Sequence, residues 1–547
     1  MSGHESPSIY HLLDSNVPPN PLEIPVVESH ILDLVHRISE LRRLEDELGR
    51  HQAILSPVRR VPREVLGHIF TFLQPFAYGE EVRNSAGRKE LVGLSLVCKL
   101  WHDATLFTHE LWAGLQIKPR HTVESFKPVE AWFSHTGSLR RRLQYDGWHM
   151  DDCDAFTDRP RLFDDCGRPN LYLELEPSPC VLATSVLPHL LTSGPPLDHL
   201  TLMCSTTECF QQFRDVMESL RDHSANAKPR PWDTLRSLSL KFQSVIYERN
   251  NLQPLFGPHF EHLPFVESLE VHLPTDEARF DMDFDASHLE LNISPALIER
   301  LTTFAICCPW PGAHLLKLLQ HCHSVETLTI ENQPLIVRYL ASPLILPKLR
   351  TLRIRNSRDV DLLRLLKAPQ LVNLDIENIE MLPLDPVKEE KLVVPLTTFL
   401  EQSGCAQGFR SFRLGRCIID AEQLFTILSY LPSSLATLTL DSLDVDMRRL
   451  WKLFKDLDAS RDGNDLCFYN LEMLEILNFP SAGRHLDAVV DYIKSRGSSL
   501  KFKLVASYKM REQRVLKEKD IRDSLRRAGS GVDANVVPGW PHVLSAA

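Results

Sequence analysis

Leu349-Arg-Thr-Leu352-Arg-Ile354 is followed, 22 residues later, by Leu371-Val-Asn-Leu374-Asp-Ile376. Both stretches read apolar-x-x-apolar-x-apolar, and their last three positions alternate as side chains on a strand do. Upstream, the same form recurs at Leu197–Leu202, Leu235–Leu240, Val266–Val271 and Val325–Ile330. Downstream, it recurs at Phe409–Leu414, Leu435–Leu440 and Leu471–Ile476, and a weaker unit lies near Leu301–Ile306. Helix-like segments fall between the units at Ala313–Cys322, Asp361–Lys367, Ala421–Tyr430 and His485–Lys494. Strand, turn and helix at short period predict parallel strands with helical crossovers, each unit covering its apolar face with the next.

The expected fold class is α/β: an all-α front block, then an irregular leucine-rich-repeat-like horseshoe of parallel strands with helical crossovers. The competing expectation, a compact doubly wound α/β domain, also alternates strand and helix, but about nine near-identical strand motifs fit a solenoid better. Asn356 and Asn378 supply the usual asparagine turn after only two of the units, hence the irregularity. Composition agrees. The 547 residues include 87 leucines, and 43% of the chain is hydrophobic, enough for a large core. With 61 basic against 72 acidic residues the net charge is −11, which disfavours a general nucleic-acid binder, since such a protein needs a basic face to release counterions. No apolar leader is visible at Met1–Tyr10, and no run approaches the 18 or so uncharged apolar residues of a membrane span. Twelve cysteines in so long a chain are no disulfide framework. Cys98, Cys209 and Cys322 sit singly in apolar runs, as reduced buried thiols do, which places the protein in the cytoplasm, the nucleus or both.

The chain divides by texture. Residues 1–23, with Pro18, Pro19 and Pro21, are expected to be disordered. Residues 24–53 form an amphipathic helix in which Ile31, Leu34, Ile38, Leu41 and Leu48 recur at three and four residues. That face is expected to pack on its own protein; a dimerising coiled-coil seam is the alternative, interrupted at Glu45. Residues 54–119 are a distinct helical block, and 120–192 a transition with strand-like pieces. Residues 193–508 carry the repeats, and 509–547 comprise a charged helix to Arg527 and a mobile tail.

Searches for catalytic motifs return little. No phosphate-binding glycine loop, nucleophile elbow or H-E-x-x-H is present. His321-Cys322-His323 resembles a metal cluster in composition only, and a buried cysteine between surface histidines is the expectation. Asp281-Met-Asp-Phe-Asp285 lacks the glycine and terminal glutamate of a calcium loop. Cys307-Cys308 is read as a strand-end pair in the core. No catalytic residue, metal ligand or cofactor is assigned, and the chain is expected not to be an enzyme. A hydrolase with a cysteine nucleophile is the outlying alternative, which stoichiometric labelling by a thiol probe would revive.

The block at 54–119 is more specific. Pro62 suits the start of a helix whose first turn holds Glu64. Val65, Leu66, Ile69, Phe70 and Leu73 then form one apolar face, and Leu94, Val97, Cys98 and Trp101 repeat at i, i+3, i+4 and i+7. Two short helices carry more large apolar residues than they can bury on each other, a surplus that usually marks a partner-binding face, with an ordinary small helical core as the alternative. The order Val61-Pro62-x-Glu64-Val65-Leu66-x-x-Ile69-Phe70-x-x-Leu73, then Leu94-x-x-Val97-Cys98-Lys99-x-Trp101, then Leu111-Trp112, resembles an F-box. The layout, a short helix leading through Ile54-Leu-Ser-Pro-Val-Arg-Arg into that block and on to irregular leucine-rich repeats, is similar to fungal-type F-box proteins. The resemblance implies binding of the Skp-type adaptor of an SCF (cullin–RING) ubiquitin ligase, and through it cullin, with the repeats holding a protein substrate. By carry-over, Pro62, Val65, Leu66, Ile69, Leu73, Leu94, Val97 and Trp101 build the adaptor-binding face or the core beneath it. Gln74–Glu90 departs from the family's shorter connector and is expected to be a flexible excursion.

On the repeats, the alternation turns Thr329/Glu331, Arg353/Arg355, Asp375/Glu377, Arg413/Gly415 and Thr439/Asp441 outward. Their signs alternate from strand to strand, so mutual pairing competes with a polar patch that reads a charged peptide. Arg353, Arg355, Asp375, Glu377 and Arg413 are the candidate substrate-binding residues. The implied function is that of a non-catalytic substrate-recognition subunit, monomeric outside its complex, with neither nucleic acid nor membrane as partner. The runner-up is a leucine-rich-repeat interaction scaffold whose F-box serves a ligase-independent assembly.

Overall fold

The computed structural model describes residues 18–538, apart from 55–56, 73–84, 118–125, 148–179, 205–206, 223–228, 243–259, 261, 274–290, 309–313, 332–342, 358–359, 378–391, 418, 444, 461–467, 469, 480–481, 497–500 and 509–517. Leu73, the Asp281–Asp285 loop and Asn378 therefore lie outside the described residues. Two compact units divide the chain: Met1–Pro75 with Lys89–Leu111, and Phe76–Arg88 with Trp112–Ala547.

The first unit is helical. Helix α1 runs from Ile24 to Ile54, α2 from Arg63 to Phe72, α3 from Ser85 to Ser95 and α4 from Lys99 to Phe107. The Pro62 carbonyl accepts the Leu66 N–H at 3.0 Å, so the proline sits where its missing donor costs nothing. Gly67 lets α2 approach the end of α4 closely: a Cβ there would stand 1.9 Å from the Thr108 hydroxyl. Leu66, Phe70, Leu91, Ala104 and Leu111 are buried in this unit, and the Phe70 ring lies 5.0 Å from that of Trp101.

Three expectations for this unit change. Leu94, Val97, Cys98 and Trp101 do not share one helix: Leu96 and Val97 form a turn, and Cys98 is extended and starts α4. Gly93 and the Ser95 hydroxyl, which donates to the Val92 carbonyl at 2.7 Å, weaken the end of α3, so the helical spacing there is accidental. The excursion expected over Gln74–Glu90 becomes helical at Ser85, within α3. Finally, the face of α1 expected to pack is uncovered: every described side chain from Ile31 to Gln52 is exposed, including Ile31, Leu34, Ile38, Leu41 and Leu48.

Among the described residues, the second unit is built on a sheet of fourteen strands, every pair of neighbours parallel. In chain order they are β1 (Gly114–Ile117), β2 (Arg142–Asp146), β3 (His199–Cys204), β4 (Ser237–Phe242), β5 (Ser268–His272), β6 (Thr303–Cys307) and β7 (Thr327–Glu331). They continue as β8 (Thr351–Arg355), β9 (Asn373–Glu377), β10 (Ser411–Gly415), β11 (Thr437–Asp441), β12 (Met473–Phe479), β13 (Lys503–Tyr508) and β14 (Asp533–Pro538). Spatial order follows sequence order without exception, as stacking of successive units requires.

The six-residue motif explains the register. Its fourth positions pair straight across the sheet, Leu328↔Leu352↔Leu374↔Phe412↔Leu438↔Leu474, as do its sixth, Ile330↔Ile354↔Ile376↔Leu414↔Leu440↔Ile476. All of these side chains are buried. Strands β3 to β12 are also entered the same way: two successive N–H groups bond to one carbonyl of the preceding unit. Arg350 and Thr351 bond to Glu326, Val372 and Asn373 to Arg350, Arg410 and Ser411 to Val372, and Ala436 and Thr437 to Arg410. Each motif thus orders the next one's backbone as well as its core.

The sheet is wider than the 193–508 marked by the sequence motif. Strand β1 falls at the end of the block expected to be helical, β2 inside the expected transition, and β14 inside the expected mobile tail. Helices match at Ala421–Tyr430, which a capping box at Asp420 and Gln423 starts, and extend to Ala482–Arg496 around His485–Lys494. Asp361–Lys367 differs: a 3-10 turn at Asp361–Leu365 leads into a two-residue strand, Leu366–Lys367, paired with Leu344–Ile345.

Candidate functional site

Two surfaces stand out, one on each unit. On the helical unit, α2 divides its apolar residues between two directions. Leu66 and Phe70 turn inward, whereas Val65, Ile69 and Phe72 face solvent, Phe72 with 74% of its surface exposed. The turn between α3 and α4 adds Leu96, 78% exposed, and Val97; Val92 and Phe107 are exposed as well. Such residues rarely stay uncovered at this density, because each large side chain brought out of water contributes about 1.5–3 kcal/mol. Arg63 lies over the Phe107 ring at 4.2 Å, and its guanidinium bonds Glu64 at 3.0 Å. A backbone hydrogen bond at the helix start and that guanidinium together hold the Glu64 carboxyl below its usual range.

The predicted residues distribute unevenly. Val65, Ile69 and Val97 are exposed apolar side chains; Pro62 is exposed at the start of α2; Leu94 and Trp101 are half-buried. Leu66 is core, tied by its helix to Phe70 and through it to Trp101. Sequence reading missed Phe72, Leu96 and Phe107. Leu96 and Phe107 lie off the motif's i, i+3, i+4 pattern, whereas Phe72 continues the exposed row of Val65 and Ile69 at helical spacing.

The second surface is the outward face of the sheet. Arg413 on β10 donates through Nη1 to Asp375 Oδ1 and Glu377 Oε2, each at 2.8 Å, and through Nη2 to Asp441 Oδ2 at 2.8 Å. Arg355 reaches the other Asp375 oxygen at 3.3 Å, and Arg416, just past β10, stands 3.6 Å from Glu377. Burial works against the charge on Arg413, but its hydrogen bonds to Glu377 and Asp375 and their charges outweigh it and hold the guanidinium protonated. Three arginines thus meet three carboxylates, and the four candidates Arg355, Asp375, Glu377 and Arg413 spend their charge on one another across the strands. Arg353, half-exposed in the same patch, has no ionic partner among the described residues.

Farther along the face, Glu270 on β5 accepts from His272 Nε2 at 2.6 Å and lies 3.5 Å from Lys241 on β4. Burial alone would raise the Glu270 carboxyl, yet the His272 hydrogen bond and the Lys241 charge bring it down to about 2. Burial likewise opposes a charged His272, but its hydrogen bonds to Cys307 and Glu270 carry it up to about 9.

No disulfide joins cysteines among the described residues. Cys209 and Cys322 are buried as expected, and burial pushes the Cys322 thiol up to about 12. Cys98 is exposed, because it sits at the bare start of α4 and not inside a helix. Cys308 joins the core, whereas Cys307 belongs to the outward face.

No helix among the described residues is long and apolar enough to cross a membrane. No family model matches the chain, and no curated protein matches it.

Proposed function

We propose that the chain is a non-catalytic substrate-recognition subunit of an SCF-type ubiquitin ligase. In this reading, residues 54–119 are an F-box that binds the Skp-type adaptor, and through it cullin. Residues 193–508, with the strands that extend their sheet, are leucine-rich-repeat-like and hold a target protein. The observation that carries the reading is the exposed apolar set Val65, Ile69, Phe72, Leu96, Val97 and Phe107 on a small helical unit whose own core, Leu66 and Phe70, is already filled. A surface of that kind, at the residues that resemble an F-box, is what an adaptor would cover.

Ligation would need no chemistry from this chain. Holding the target beside a ubiquitin-charged enzyme raises its effective concentration to the order of millimolar, and the rate gain follows from proximity. On the sheet, Arg353 is the residue best placed to read an acidic group of the target, since its neighbours neutralise one another.

The test uses exposed positions, so that folding and docking separate. Capture of the full chain should recover the Skp-type adaptor. Val65→Asp with Ile69→Asp should abolish recovery while the melting temperature stays within about 2 °C, as surface changes of this size allow. Adaptor recovery unchanged in the double variant contradicts the assignment. Adaptor recovered without cullin favours the ligase-independent scaffold.

A further inference from the structure

Three neighbouring strands bring an imidazole, a thiol and a carboxylate together on the outward face. In register, His272 of β5 pairs with Cys307 of β6, and Cys307 with Glu331 of β7. Strands lie about 4.8 Å apart, so side chains at matched outward positions project side by side. The donor atoms of the three all fall within 4.8 Å of one another. Cys307 is only 6% exposed, yet it stands apart from the hydrophobic core, which takes Cys308 instead. Neither adaptor docking nor target binding uses this trio.

We propose that His272, Cys307 and Glu331 form a binding site for a divalent cation of the zinc class, with a fourth position open to solvent or to a ligand of the ion. The donor set decides the class. Magnesium and calcium take oxygen ligands, whereas a thiolate and an imidazole beside one carboxylate suit zinc. Metal–ligand bonds of about 2.0–2.3 Å set tetrahedral donors roughly 3.5 Å apart, so closure needs a contraction of about 1 Å, within reach of side-chain rotation.

The surroundings fit. Glu270, two residues before His272 on the same strand face, holds His272 Nε2 at 2.6 Å and so leaves Nδ1 for the ion. A carboxylate behind a ligating imidazole fixes the tautomer and ring orientation of metal-binding histidines generally. Of the flanking cations, Lys241 is 3.5 Å from Glu270, and Arg355, beside Glu331 in the ladder, turns to Asp375 at 3.3 Å and Glu377 at 3.9 Å. Neither cation thus forms an ion pair with Glu331, and Cys307 shares with His272 a hydrogen bond that the ion would replace. Binding transfers one proton from the His272 ring and one from the Cys307 thiol to solvent, and no group changes oxidation state.

The test is titration of the purified full chain with Co2+ and with Zn2+ against a chromophoric chelator. The expected results are one equivalent bound, a thiolate-to-cobalt charge-transfer band, and displacement of the cobalt by zinc. Cys307→Ser should remove the band, His272→Gln and Glu331→Gln should each weaken binding at least tenfold, and Glu270→Gln should weaken it about tenfold to a hundredfold. Cys98→Ser, at the exposed thiol of the other unit, should change nothing, and circular dichroism verifies that each variant is folded. No stoichiometric uptake by the folded wild type overturns the site, as does a band that survives Cys307→Ser. Stoichiometric labelling of Cys307 by a thiol reagent at a rate unaffected by saturating zinc also overturns it. None of these outcomes depends on adaptor binding, so the ligase reading and this site stand or fall separately.

Discussion

Arg413 concentrates more charge than any other residue on the outward face of the sheet. Three carboxylates share its guanidinium at 2.8 Å, and the side chain is 20% exposed. Removal of the cation would leave Asp375, Glu377 and Asp441 facing one another with too little water to screen them. Arg413→Met should therefore cost about 2–3 kcal/mol in urea unfolding, whereas Arg353→Met, which breaks no pair, should cost under about 0.5 kcal/mol. Equal losses in the two variants would contradict the pairing scheme. His199 offers a pH signature. Burial, and then the neighbouring Arg142 cation, depress its pKa from 6.5 to about 4, with Glu270 opposing and Lys241 adding to the depression. Between those values the unfolded chain binds a proton that the folded chain refuses, so stability falls as pH drops through the window. His199→Gln should flatten that part of the melting-temperature profile between pH 6.5 and 4; an unchanged profile would assign the slope to other groups.

At the scale of elements, the strands were legible because one motif writes each of them, and its apolar positions leave no choice of register. Helices were less legible. The capping box at Asp420 marks one unambiguously, but the run from Leu94 to Trp101 mimics a helical period across a turn. Asp361–Lys367 packs its leucines as a 3-10 turn, which shares the compact spacing of an α-helix over so few residues. Strands β1, β13 and β14 were missed, and β2 was expected only as a strand-like piece, because they lack the full motif and borrow their order from neighbours already in the sheet. Of the site, Val65, Ile69 and Val97 were legible by type, whereas the inward turn of Leu66 depends on the close approach at Gly67 that only coordinates show. Helix α1 gives its own prediction. Its Ile38 and Leu41 are exposed, so Ile38→Ser with Leu41→Ser should shift thermal unfolding of the chain by no more than about 2 °C at micromolar concentration. A large loss would show that this helix is covered in solution.

Over the whole molecule, the proposed function divides the labour between the two units. The sheet orders its fourteen described strands through repeated contacts between neighbours, and Arg355, Asp375, Glu377, Arg413 and Asp441 on its outward face spend their charge on one another. The helical unit leaves Val65, Ile69, Phe72, Leu96, Val97 and Phe107 outside, which adds nothing to its stability and, under the proposed function, serves a partner. That asymmetry is the core of the functional reading, and hydrogen exchange on the full chain with and without purified Skp-type adaptor tests it most directly. The account predicts new protection confined to amides between Pro62 and Phe72 and between Val92 and Phe107, with the strands from Thr327 to Asp441 unchanged. Protection of the strands instead, or no protection anywhere at saturating adaptor, would contradict it.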